Sequence, residues 1–84
     1  MSKPPKIIHK KLGRENVFGY SDEQNNTIEI DSRLKGKLKL KIYIHEHLHL
    51  MFPDMSENMV TKKAREMTDF LWSLHYRQVD NKKK

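Results

Sequence analysis

The sequence predicts an α+β fold: a small antiparallel β-sheet of two or three strands, packed on a helix over about residues 37–52 and on a second helix over about 57–76. Three observations predict it. Thr27-Ile28-Glu29-Ile30 alternates polar and apolar side chains, as a half-buried strand does. Leu38, Ile42, His45, His49 and Phe52 follow steps of four, three, four and three, which is one stripe of a helix. Val60, Ala64, Met67, Leu71 and Leu74 repeat those steps and form the clearest helical run in the chain.

Size and composition bound the rest. Residues 1–84 are expected to form a single domain with loose basic ends at about 1–5 and 78–84. A chain this short buries roughly 60 to 65 percent of its unfolded surface, so a bound metal would be a useful staple. The absence of cysteine excludes disulfides, thiolate zinc sites and cysteine nucleophiles. Any metal must then be held by histidines and carboxylates. Neither a signal-peptide core nor a membrane span is visible, and a cytoplasmic protein is expected. The formal charge of +6, from 17 Lys and Arg against 11 Asp and Glu, suggests an acidic partner such as nucleic acid. Much of that excess lies in Lys3, Lys6, Lys10, Lys11 and Lys82-Lys83-Lys84, positions that are ordinarily just solvated.

In chain order, Pro4-Pro5 closes the lead-in, and Ile7-Ile8 open a strand that Gly13 punctuates. Val17, Phe18 and Tyr20 form a second β-prone run. Asn25-Asn26 is the expected turn into the third strand, whose Ile28 and Ile30 point inward. His9, alone on its strand, reads as an ordinary packed or surface residue. Asp31 and Ser32 are candidate N-caps, and Gly36 interrupts whatever they start.

Residues 37–52 satisfy two periods at once. Leu38-Lys39-Leu40-Lys41-Ile42-Tyr43-Ile44 alternates strictly, as a strand would, while the stripe through Leu38, Ile42, His45 and His49 is helical, with Lys41 its misfit. A strand would align His45, His47 and His49 as a three-imidazole site. A helix stacks His45 above His49 one turn apart and turns His47 away. Pro53 ends this element, and 54–56 link it to the second helix. Met59, Met67, Phe70 and Trp72 are expected in its packed core.

Within this ambiguous stretch, His45-Glu46-His47-Leu48-His49 spells His-Glu-x-x-His. Two imidazoles four residues apart on a helix can hold one zinc ion, with the intervening glutamate beside it as general base. A shuffled chain of this composition contains the motif in roughly two cases per hundred, so its surroundings must support it. A catalytic zinc of this type needs a third protein ligand. Asp54, Glu57, Glu66 and His75 are the candidates downstream. Glu57 extends the second helix's apolar stripe backward from Val60 and follows a short link, so antiparallel packing returns it to the imidazoles. Glu66 lies nine residues further on, about 13 Å along the helix axis. Glu57 also has a purely structural use, either in a capping box with Asp54 or at the first helical position after a Ser56 cap. Tyr20 and Tyr43 could donate to an oxyanion, though nothing in the sequence brings either to the motif.

With these residues in view, the chain resembles a minimal zincin, similar in layout to SprT-like and ImmA/IrrE-like metallopeptidases and the small gluzincins. The resemblance rests on Thr27-Ile28-Glu29-Ile30-Asp31, on Ile44 to His49, and on Phe52 to Val60 with Leu71-Trp72 and Tyr76-Arg77, covering about residues 16 to 77. It implies a sheet packed on the signature helix, which selects the helix over the strand for 37–52. It further implies one zinc ion per chain held by His45, His49 and, by position in the fold, Glu57, with Glu46 as the catalytic base. The implied activity is zinc-dependent peptide hydrolysis on a peptide or protein substrate, in a small bacterial or phage protein. The His49-to-Glu57 spacing is shorter than in large gluzincins, and no separate substrate lobe exists. The rival reading is a small basic nucleic-acid-binding module with structural zinc or none.

Overall fold

A computed structural model of the chain describes residues 3–12 and 18–79. Three strands, β1 (Lys6–Lys10), β2 (Gly19–Asp22) and β3 (Thr27–Asp31), precede two helices, α1 (Gly36–Met51) and α2 (Glu57–Ser73). The expected α+β class and both helices are present. Val17 and Gly13, read as strand and punctuation, lie outside the described residues.

The sheet differs from expectation in direction. Its order is β1-β3-β2: β2 pairs antiparallel with β3, but β1 runs parallel to β3, with Lys6 opposite Thr27 and Lys10 opposite Asp31. Strands adjacent in sequence usually pair, which is why an all-antiparallel sheet was the natural expectation. Here the most apolar strand takes the centre, where Ile28 and Ile30 are buried as expected, and β1 and β2 flank it. The β2–β3 turn is set by Asn26 in the left-handed region (φ 49°) and by Asp22, whose carboxylate accepts from Asn25 N and Nδ2. Asn26 Nδ2 also donates to the Lys3 carbonyl at 3.1 Å, which ties down part of the lead-in expected to be loose.

Asp31 does not cap a helix. Its buried carboxylate accepts from the Arg33 guanidinium and backbone at 2.7 to 2.9 Å and from Leu12 N, and these bonds hold its pKa well below the usual carboxylate range. The N-cap position of α1 is Lys35, with no side-chain cap, and Gly36 (φ +63°) opens the helix rather than interrupting one.

Helix α1 lies between the sheet and α2, and this explains its double periodicity. At 3.6 residues per turn, the even-numbered positions of the alternating run separate into two sets, 38/42/46/50 and 40/44/48, on different faces. Ile42 and Leu50 pack on Ile28, Ile30 and Leu34, while Ile44 and Leu48 pack with Val60, Ala64 and Met55. Two apolar faces on one helix thus read as strand-like alternation. Lys41, the misfit, is half-buried.

Helix α2 is capped by Ser56, whose Oγ accepts from Met59 N at 3.2 Å, so Asp54 is not the cap and Glu57 occupies the first helical position. It ends earlier than Tyr76. Leu74 is the C-cap, His75 is left-handed (φ 69°), and His75 N and Tyr76 N bond to the Trp72 and Leu71 carbonyls, a Schellman closure. Its buried strip is Val60, Ala64 and Thr68, a single file at steps of four because α1 is its one packing partner among the described elements. Met67 therefore faces out, and Met59, Met67 and Phe70 are exposed instead of packed in the core; Trp72 is half-buried.

Candidate metal centre

The short 52–56 link turns the chain so that the first residue of α2 lies against the last turns of α1. Phe52 N still bonds to Leu48 O at 2.8 Å, and Met55 N to Phe52 O, before Ser56 starts the new helix. With Ser56 doing the capping, the Glu57 side chain is released from that duty and reaches back to both imidazoles. His45 Nε2 lies 3.1 Å from Glu57 Oε2, and His49 Nε2 lies 2.9 Å from Glu57 Oε1. The two rings, one helical turn apart, have centroids 5.0 Å apart.

One ligand atom from each of His45, His49 and Glu57 falls within 4.8 Å of the others, and this group can hold a metal ion. Among the described residues it is the one group of three or more such side chains so arranged. Two imidazole nitrogens and one carboxylate, with no thiolate, form a donor set suited to zinc and to similar divalent ions. The carboxylate side is open, since the Glu57 side chain is 67% exposed against 17% and 26% for His45 and His49.

Glu46 is set differently. It is 9% exposed, on the face of α1 that meets the sheet, and Ser21 of β2 hydrogen-bonds its carboxylate. Burial raises its pKa above the ordinary glutamate value; charge on His45 and His49 and the Ser21 bond oppose that rise, and Glu57 adds to it.

Gly19 makes that setting possible. A Cβ at this position would stand 2.7 Å from Ile42 Cγ2, 3.0 Å from Glu46 Cγ and 3.2 Å from Glu46 Oε2, so β2 can lie on α1 at this point only without a side chain. Sequence reasoning passed over Gly19 and Ser21. The signal for Gly19 was present, since a lone glycine inside a β-prone run marks a close backbone approach. Nothing local marked Ser21, because its partner lies 25 positions away in sequence.

The remaining candidates lie elsewhere. Residues 45–49 are helical, which removes the three-imidazole strand site, and His47 is outside the ligand group, as are Asp54, Glu66 and His75. His9 meets Tyr43 instead, Nε2 to the phenol oxygen at 2.7 Å, and Tyr20 is 55% exposed on β2. Compared with protein-family models, curated proteins and solved structures, the chain gives no match. The assignment of this centre therefore rests on its own geometry.

Proposed function

We propose that the protein is a zinc-dependent peptidase of minimal zincin type, with His45, His49 and Glu57 as the metal ligands and Glu46 as the general base. The observation that carries this reading is the convergence of His45 and His49 on Glu57, with a buried, elevated-pKa carboxyl at Glu46 beside them. The motif alone can arise by chance; a third metal-type side chain brought to the same point from another helix is what supports the reading. When bound, zinc supplies Lewis acidity, lowering the pKa of a coordinated water and polarising a carbonyl.

The chain's own residues supply the rest. Glu46 accepts a proton from the attacking water and returns it to the departing amine, a role favoured by a pKa raised toward the working pH. Ser21 orients the Glu46 carboxylate, and Gly19 lets the sheet close over it and keep bulk water from that side. The outer edge of β2 has no strand partner among the described residues, and an extended peptide can add there with its backbone running beside the centre. No helix among the described residues is long and apolar enough to cross a membrane. The reading carries with it a cytoplasmic enzyme, bacterial or phage-borne, acting on a flexible or unfolded peptide segment.

The test is metal content joined to hydrolysis. Purified without added metal, the wild type should carry one zinc ion per chain and cleave an unfolded protein such as casein. His45→Ala and Glu57→Ala should lose the ion, whereas Glu46→Gln should keep it and lose hydrolysis. Undiminished cleavage by Glu46→Gln would eliminate its role as base.

A further inference from the structure

A second concavity, about 730 Å³ in volume, lies at the start of α1, and none of the four residues of the metal centre lines it. The first turns of α1 form one wall through Lys35, Lys39 and Tyr43. The end of α2 and the segment after it form the other through Trp72, Tyr76 and Arg77. The cleft thus gathers three cations and three aromatic rings, and no carboxylate is among the described residues lining it. Its size is that of a small-molecule site and accommodates about one or two nucleotides, not a duplex.

The cations are available. Neither Lys35 nor Lys39 has a carboxylate partner among the described residues, whereas Lys37, which does not line the cleft, is paired with Asp69 at 2.9 Å. Arg77 sits over the Trp72 ring, its guanidinium carbon 3.6 Å from the ring centroid, and Nη1 donates to the Trp72 and Tyr76 carbonyls. That anchoring uses one of its three nitrogens and leaves the other donors for an anion. Tyr76 is 63% exposed beside it, a ring held at the surface without being used in the core. Lys35 and Gly36 also begin a helix whose first amides lack a side-chain cap, and a Cβ at Gly36 would meet nothing within 4 Å, so this backbone is open to an approaching anion.

We propose that this cleft binds single-stranded nucleic acid, with a base stacked on the Tyr76 ring and the Arg77 plane and flanking phosphates on Lys35 and Lys39. Cations alone would serve an acidic peptide equally well. Flat rings interleaved with those cations select a ligand that alternates π faces with phosphates. This gives the protein a binding site that shares no lining residue with the metal centre.

The experiment is fluorescence anisotropy of a labelled oligothymidylate of about ten nucleotides, titrated with the full chain at several salt concentrations. Affinity should fall as salt rises, and chelator should leave it unchanged, so the outcome is independent of the peptidase reading. Tyr76→Ala removes an exposed ring and should weaken binding about five-fold or more. Lys35→Gln and Lys39→Gln should each lower the salt slope by about one. A variant with Lys82, Lys83 and Lys84 all changed to Gln should still respond to Tyr76→Ala by the same factor. Unchanged affinity in Tyr76→Ala would overturn the proposal. So would polyglutamate displacing the oligonucleotide equally well from wild type and from Tyr76→Ala, since the surface would then be a plain cation patch.

Discussion

Replacing Glu57 by alanine separates the two roles its position allows, as part of a helix start and as a metal ligand. In the metal-free protein, Glu57 contributes two contacts to imidazoles from a side chain that is 67% exposed. Exposed pairs of this kind are worth about 0–1 kcal/mol, and an acidic residue at a helix N-terminus adds about 0.3–1 kcal/mol. The Ser56 cap, which does not involve Glu57, survives the change. The expected loss is therefore about 1 kcal/mol, or roughly 4–8 °C in Tm for a chain of this size. Metal binding is the larger effect: free zinc at a hundred times its Kd stabilises the folded state by about 2.7 kcal/mol, roughly 10–20 °C. Differential scanning fluorimetry with chelator and then with excess zinc reads both. The wild type should rise by the larger amount on adding zinc, and Glu57→Ala, a few degrees lower in chelator, should barely respond. A zinc-induced rise of the same size in Glu57→Ala would refute the assignment of Glu57 as third ligand.

Three further outcomes follow from the same packing. Glu46 has its folded pKa raised by burial, so its ionised form opposes folding, and the penalty grows as pH climbs from the ordinary carboxylate range through the raised value. Metal-free Glu46→Gln should accordingly melt higher than wild type near neutral pH, with the gap closing below about pH 4 in a Tm-versus-pH series. Gly19→Ala places a methyl 2.7 Å from Ile42 Cγ2, and overpacking of this kind should cost about 1–3 kcal/mol in urea denaturation while lowering hydrolysis through displacement of Glu46. Thr68 is 1% exposed and its hydroxyl has no hydrogen-bond partner among the described residues, so Thr68→Val, which keeps the shape, should raise stability by about 1 kcal/mol in the same assay.

Much of the fold was legible because it depends on local pattern. Helix α2, the Asn25-Asn26 turn and the inward Ile28 and Ile30 follow from periodicity and turn chemistry; α1, whose pattern fits a strand equally well, was chosen through the resemblance and ends just before Pro53 as expected. The errors are of another kind. The outward turn of Met67, and the burial of Thr68 in its place, depend on α2 having a single partner, and a helical repeat cannot report how many neighbours a helix has. The parallel pairing of β1 with β3 depends on which strand takes the middle of the sheet, a choice made between segments about 20 residues apart. Asp31 looked like a cap because Asp commonly is one, yet Arg33 two residues on claims its carboxylate first.

By itself the sequence determined the spacing of His45, Glu46 and His49, the absence of thiols, and the breaks at Pro53 and Ser56, since each follows from residue identity and short-range backbone sterics. Tertiary structure alone decided that residues 45–49 coil, that Glu57 turns back to meet both imidazoles, and that Glu46 lies buried under a side-chain-free point of β2. The physical reason is that a ligand set requires separate elements to converge within a few ångströms. That convergence is set by how the sheet and α2 pack on the two faces of α1, and no local stretch of sequence encodes it.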